Sequence, residues 1–99
     1  MNVTIQSVHF SETQALHDFV TEEVRKLSRY HDKIEGAKVF LKLEKSDTRE
    51  NKVCEVRLEI PGYDLFVKKQ CETFEEATSK VVDELKEQVK ELKSRSAKQ

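Results

Sequence analysis

The longest regular pattern of apolar positions lies near the C-terminus. Phe74, Ala77, Val81, Leu85, Val89 and Leu92 recur in steps of three and four, which draws one stripe along a helix of 3.6 residues per turn. Thr73-Phe74-Glu75-Glu76 opens the stripe and reads as a capping box, in which the Thr73 hydroxyl and the Glu76 carboxylate satisfy orphan backbone donors. The spacing predicts a helix over residues 74–96, on the order of 35 Å long at about 1.5 Å per residue, so its last turns reach past a body of this size. A second stripe, Leu16, Phe19, Val20, Val24, Leu27 and Tyr30, predicts another helix ending near Tyr30. Ser11-Glu12-Thr13-Gln14 is its expected capping box, with Phe10 and Ala15 as a hydrophobic staple.

Four stretches alternate with a period of two instead. Residues 1–10 set Val3 and Ile5 against Thr4 and Gln6, and 37–45 set Val39, Leu41 and Leu43 against Lys38, Phe40, Lys42 and Glu44. In 52–60, Cys54, Val56, Leu58 and Ile60 oppose Glu55, Arg57 and Glu59; in 63–71, Leu65, Val67 and Cys71 oppose Phe66, Lys68 and Gln70. Gly36 breaks the chain after the first helix, the all-polar run 46–51 reads as a hairpin loop, and Pro61-Gly62 as a tight turn. The order is β-α-β-β-β-α, an α+β fold with one four-stranded sheet. Alternation leaves one sheet face wet, so both helices must pack side by side on the other. Leu16, Phe19, Val24, Leu27, Val39, Leu41, Val56, Leu58, Val67, Val81 and Leu85 form the expected core.

The 99 residues suit one domain, 1–99, burying about two thirds of its unfolded surface, with 94–99 expected as a flexible basic tail. No apolar run approaches the roughly 18 residues that span a bilayer, and MNVTIQSVHF lacks the basic start and apolar centre of a leader. A cytoplasmic chain with no membrane partner is expected. Cys54 and Cys71 fall at inward strand positions and should be reduced thiols, since pairing across Pro61-Gly62 sets 54 opposite about 69 and makes the cysteines diagonal neighbours. His9, His17 and His31 share no ligand or triad spacing. With Gly36 and Gly62 the only glycines, no phosphate-cradling loop exists. The expectation is a non-enzyme with no metal, no cofactor and no small-molecule substrate.

Charge changes the picture. The net charge of −1 does not mark a nucleic-acid binder, but the charge is polarised along the chain. Residues 1–20 hold Glu12 and Asp18 and no Lys or Arg, whereas the last ten hold Lys90, Lys93, Arg95 and Lys98 against Glu91. On the long helix Lys86, Lys90 and Lys93 follow one edge of the apolar stripe, with Asp83, Glu84, Glu87 and Glu91 further round. Arg25, Lys26, Arg29 and Lys33 gather at the end of the first helix. The two clusters can line a groove between adjacent helices and read phosphate. Such charges also serve as plain solvated faces, and the rival function is a protein-interaction module dimerising through the long C-terminal helix. Salt separates the two: phosphate binding weakens steeply with it, whereas an apolar dimer persists. Phe40 and Phe66 are expected as a cross-strand packing pair on the wet face rather than a base-stacking platform, because no strand follows the second helix as an RNA-recognition sheet requires.

Phe19-Val20 and the run Arg25-Lys26-Leu27-Ser28-Arg29-Tyr30-His31-Asp32-Lys33-Ile34, followed by Val39-Phe40-Leu41-Lys42-Leu43-Glu44-Lys45, resemble the short ribosome hibernation-promoting factors and the related ribosome-associated inhibitor A. Those proteins carry K-L-x-x-Y-x-D-[KR]-I at a helix end and V-x-L-K-x-E-K in a strand, and the element order and length agree over essentially the whole chain. The resemblance implies a double-stranded-RNA-binding-domain-like fold. It implies a factor that binds the small ribosomal subunit near the decoding centre, touching 16S rRNA and neighbouring ribosomal proteins. Such a factor would block mRNA and tRNA in idle, stressed or stationary-phase cells without catalysis. The expected rRNA contacts are Arg25, Lys26, Arg29, Lys33, Lys86, Lys90, Lys93, Arg95 and Lys98. Glu84 and Glu87 stand where relatives carry bases, and Gln70-Cys71-Glu72-Thr73-Phe74 replaces their Asp-x-Tyr element.

Overall fold

The four alternating stretches form one mixed sheet in the computed structural model, which describes the backbone of residues 1–97 and the side chains of 1–92. The elements are β1 (Asn2–Val8), α1 (Gln14–Arg25) running into a 3-10 turn (Lys26–Arg29), β2 (Gly36–Leu43), β3 (Lys52–Ile60), β4 (Tyr63–Cys71) and α2 (Phe74–Ala97). The side chains of Lys93 and Arg95, all of Lys98, and the side chains of the expected tail 94–99 lie outside the described residues. Strand order is β1-β2-β3-β4. β1 runs parallel to β2, from Asn2 opposite Gly36 to Val8 opposite Lys42, and β2, β3 and β4 are antiparallel neighbours.

Strand phase follows the alternation. Val39, Leu41, Cys54, Val56, Leu58, Ile60, Val67 and Cys71 are buried on the face that α2 covers. α2 lies over β4 and β3 and beside α1, and it also touches the 3-10 turn. Val20, Val24 and Leu27 complete the core from the first helix, and Phe74, Ala77, Val81, Leu85 and Val89 from the second. Leu16 and Phe19, expected inside, are only half-buried, because α1 lies towards the β1 margin of the sheet, where one side of the helix meets solvent. Val53 is the converse case. It belongs to the outer face yet is fully buried. It sits between Lys42 and Gln70 on the neighbouring strands, whose long side chains shield it, and Gln70 Nε2 also donates to the carbonyl of Glu50 in the preceding loop.

The start of α1 differs from the pattern reading, and that of α2 does so only in part. Thr13, not Ser11, caps α1: its hydroxyl accepts from the Leu16 N–H at 3.1 Å. Ser7 on β1 donates to the Glu12 carboxylate, which draws Glu12 back to the strand and delays the helix by two residues. Phe10 does not staple to Ala15, which is exposed; its ring stacks on Phe74 at 4.7 Å and ties the start of α1 to the start of α2. At α2 the cap is as read, with Thr73 Oγ1 accepting from the Glu76 N–H at 3.1 Å. The Glu76 carboxylate turns to Lys80 at 3.3 Å instead of back to the cap. Gly36 is less a breaker than a close approach: a Cβ there would stand 2.8 Å from the Asn2 carbonyl.

Candidate nucleic-acid interface

After Arg25 the first helix tightens into its 3-10 turn, which closes with the Tyr30 N–H donating to the Leu27 carbonyl at 3.0 Å. Leu27 is buried and pins the turn to the core, while Tyr30, three residues on, is half-buried at the junction with α2. Lys86 and Lys90 lie one turn apart on the edge of α2 that faces this junction. Their ammonium nitrogens stand 5.3 and 5.4 Å from the centroid of the Tyr30 ring. Each such contact is worth about 0.5–1 kcal/mol at a partly wet site, enough to offset the few tenths by which like charges four apart destabilise a helix. Neither lysine is bridged to a carboxylate among the described residues.

The structure therefore gathers two of the expected cations on one ring. Arg25, Arg29 and Lys33 are exposed along the same end of α1 and the chain after it, and none forms an ion pair among the described residues. The Lys33 N–H donates to His31 Nδ1 at 3.0 Å, which fixes the backbone there. Lys26 is half-buried, and its ammonium is paired with Glu23 one turn earlier. Lys93, Arg95 and Lys98 fall outside the described side chains.

The acids of α2 are placed so that only some oppose the cations. Glu84 bonds Lys69 of β4 at 3.0 Å, about 160° round the helix axis from Lys86, so its charge is neutralised on the opposite flank. Asp83 and Glu87 are exposed beside the lysine edge. Sequence reasoning assigned Tyr30 to the core and missed its part in the site; a ring at the end of one helix facing lysines at i and i+4 on another becomes visible only once the helices are docked.

The wet sheet face is organised differently. Glu55, on β3, holds Lys42 of β2 at 3.0 Å and Lys68 of β4 at 3.7 Å, and Arg57 pairs with Asp64 at 2.7 Å. Phe40 and Phe66 are not the expected packing pair. Phe40 lies opposite Glu55 and Phe66 opposite Arg57, with β3 between them, and Phe66 remains 58% exposed. Among the described residues no cluster of His, Cys, Asp or Glu could hold a metal ion. Cys54 and Cys71 are free and buried, Cys54 opposite Lys69 as expected. Burial pushes the Cys54 thiol up to about 11 despite its contact with Thr78, and burial raises Cys71 as well; neither is a nucleophile at neutral pH. No helix among the described residues is long and apolar enough to cross a membrane. The apolar stripe of α2 is buried from Phe74 to Val89, which leaves no second seam there for a helix-mediated dimer.

Residues 3–97 match the family described as Sigma 54 modulation protein / S30EA ribosomal protein. The chain is similar to the ribosome hibernation promoting factor of Pseudomonas putida, with 33% identity over 95 residues that span 96% of this chain and 89% of that one. The N-terminal domain of Thermus thermophilus Protein Y superposes with a TM-score of 0.76 at 27% identity, covering 92% of this chain and 94% of that domain. A ribosomal subunit interface protein from Coxiella burnetii gives a TM-score of 0.82 over 95% of this chain and 99% of that one; at 12% identity, that likeness concerns the fold.

Proposed function

Since this chain belongs to the Sigma 54 modulation protein / S30EA ribosomal protein family, we propose that it is a ribosome hibernation factor that binds the small subunit and halts translation by occupancy. The observation that carries the reading is the pair of lysines, Lys86 and Lys90, gathered at Tyr30 beside the exposed Arg25, Arg29 and Lys33. A basic cluster of this kind meets backbone phosphates. Phosphate contacts supply affinity without reading bases, so the target is a preformed rRNA shape, near the decoding centre, rather than a sequence. A body wedged there excludes mRNA and tRNA, an action suited to idle, stressed or stationary-phase cells. The factor is then cytoplasmic and ribosome-associated, and its contacts extend to 16S rRNA and adjoining ribosomal proteins. Lys93, Arg95 and Lys98 would continue the basic edge; Lys26 contributes less, because binding phosphate would mean giving up Glu23.

Sucrose-gradient sedimentation with purified small subunits at low salt tests this. The wild-type protein should move with the subunits, and should be released steeply as salt rises. Replacing Lys86 and Lys90 by Glu should leave it at the top of the gradient with its circular dichroism unchanged. Lys38→Glu, on the wet sheet face, should still sediment. A wild-type protein that stays at the top at low salt defeats the reading.

A further inference from the structure

We infer that Tyr30 is a positioning residue whose ring holds Lys86 and Lys90 together as a clamp for a single phosphate group. The inference rests on the ribosome reading for its biological ligand, but its geometry stands apart from it. Two ammonium groups lie within 5.4 Å of one ring centroid. Lysine side chains four apart on an exposed helix otherwise splay to reduce repulsion, and each gives up about 2 kcal/mol of rotamer freedom when fixed. The negative face of the ring attracts both cations and so meets part of that ordering cost before any ligand arrives. What the ring does not supply is compensating charge. Asp83 and Glu87 lie one turn before the two lysines, but no carboxylate is bridged to either ammonium among the described residues, and the ligand that completes the pair is an anion with several acceptor oxygens. A phosphodiester of a nucleic-acid backbone has that chemistry.

Tyr30 belongs to the first helix and the lysines to the second, so the clamp also registers how the two helices are docked. Leu27, fully buried three residues before Tyr30, fixes the 3-10 turn and with it the height of the ring against α2. The phenol hydroxyl has no assigned part; the ring is the active group.

The test has two arms. In the first, small-subunit affinity is measured as a function of salt for the wild type, Tyr30→Phe and Tyr30→Leu. Tyr30→Phe should bind within about twofold of the wild type, because the ring is kept. Tyr30→Leu should lose roughly fivefold to tenfold and should also flatten the log–log salt slope by about 0.7–0.9, the signature of one lost phosphate contact. A change of packing alone would leave that slope where it was. In a Lys86→Gln/Lys90→Gln background, Tyr30→Leu should have no further effect. An unchanged slope, a Phe variant as weak as the Leu variant, or a full Tyr30→Leu loss in the double-Gln background would each overturn the inference. A wild-type protein that fails to bind subunits at all would instead sink the ribosome reading. The second arm needs neither ribosomes nor the Leu variant to fold. Inorganic phosphate titrated into the wild-type protein should move the ε-methylene NMR resonances of Lys86 and Lys90 together, with one dissociation constant. Two independent titrations, or none, would show that no clamp exists.

Discussion

Cys54 shows how far a single side chain can be read before the fold is known. Its inward parity on β3 follows from alternation alone, and so does its diagonal placement from Cys71. The partner it meets is not visible that way. Thr78, the one fully buried polar side chain among the described residues, donates to the Phe74 carbonyl at 2.7 Å and touches Cys54 Sγ at 3.5 Å. In the sequence it is simply a threonine one step off the apolar stripe. Burial raises the Cys54 thiol from its usual value near 9 to about 11. The folded state thus binds this proton more tightly than the unfolded chain does. The resulting stability is fully present below about 9 and is lost as pH rises through about 11; at two pK units it amounts to about 2–3 kcal/mol. Urea denaturation between pH 8 and 11.5 should show the wild type losing that much more stability than Cys54→Ala over the same range. Parallel curves for the two proteins would mean that the thiol titrates as in water.

Among the elements, those whose signal is carried by period were legible and those fixed by a contact across the fold were not. All four strands and both helices appear where apolar spacing puts them, because each buries one face on a shared core. The start of α1 depends on where Glu12 goes. The pattern puts the cap at Ser11, but Ser7 holds the Glu12 carboxylate and the cap moves to Thr13. The same hydrogen bond is the main reason that carboxyl stays below the ordinary glutamate range, with His17 adding to it. Thr13→Ala should therefore cost about 1 kcal/mol in chemical denaturation, and Ser11→Ala should stay within about 0.5 kcal/mol of the wild type. The reverse ranking would return the cap to Ser11. The end of α1 was also out of reach of periodicity. A 3-10 turn keeps nearly the same apolar spacing as an α-helix for one turn, so residues 26–29 read as helix while the tighter winding set the direction of Tyr30.

At the scale of the whole molecule, the pairing of β1 with β2 carries a consequence for the order of assembly. Each rung of that parallel ladder joins residues 34 apart, from Asn2 and Gly36 to Val8 and Lys42, whereas Ile60 meets Tyr63 across a two-residue turn. Closing the longer loop costs more entropy, and the contacts that repay it arrive late. The meander β2-β3-β4 with α2 can condense from neighbours in the chain, but β1 can dock only when α1 has crossed the sheet. Native-state hydrogen exchange should find the amides of β1 opening at lower free energy than those of Val56 and Leu58 in the central strand; equal protection would mean that the sheet opens as one unit. The two halves of the basic cluster belong to different stages of this sequence. Lys86 and Lys90 come with the early meander and Tyr30 with the late crossover, so a chain caught between them displays its lysines without the ring that gathers them.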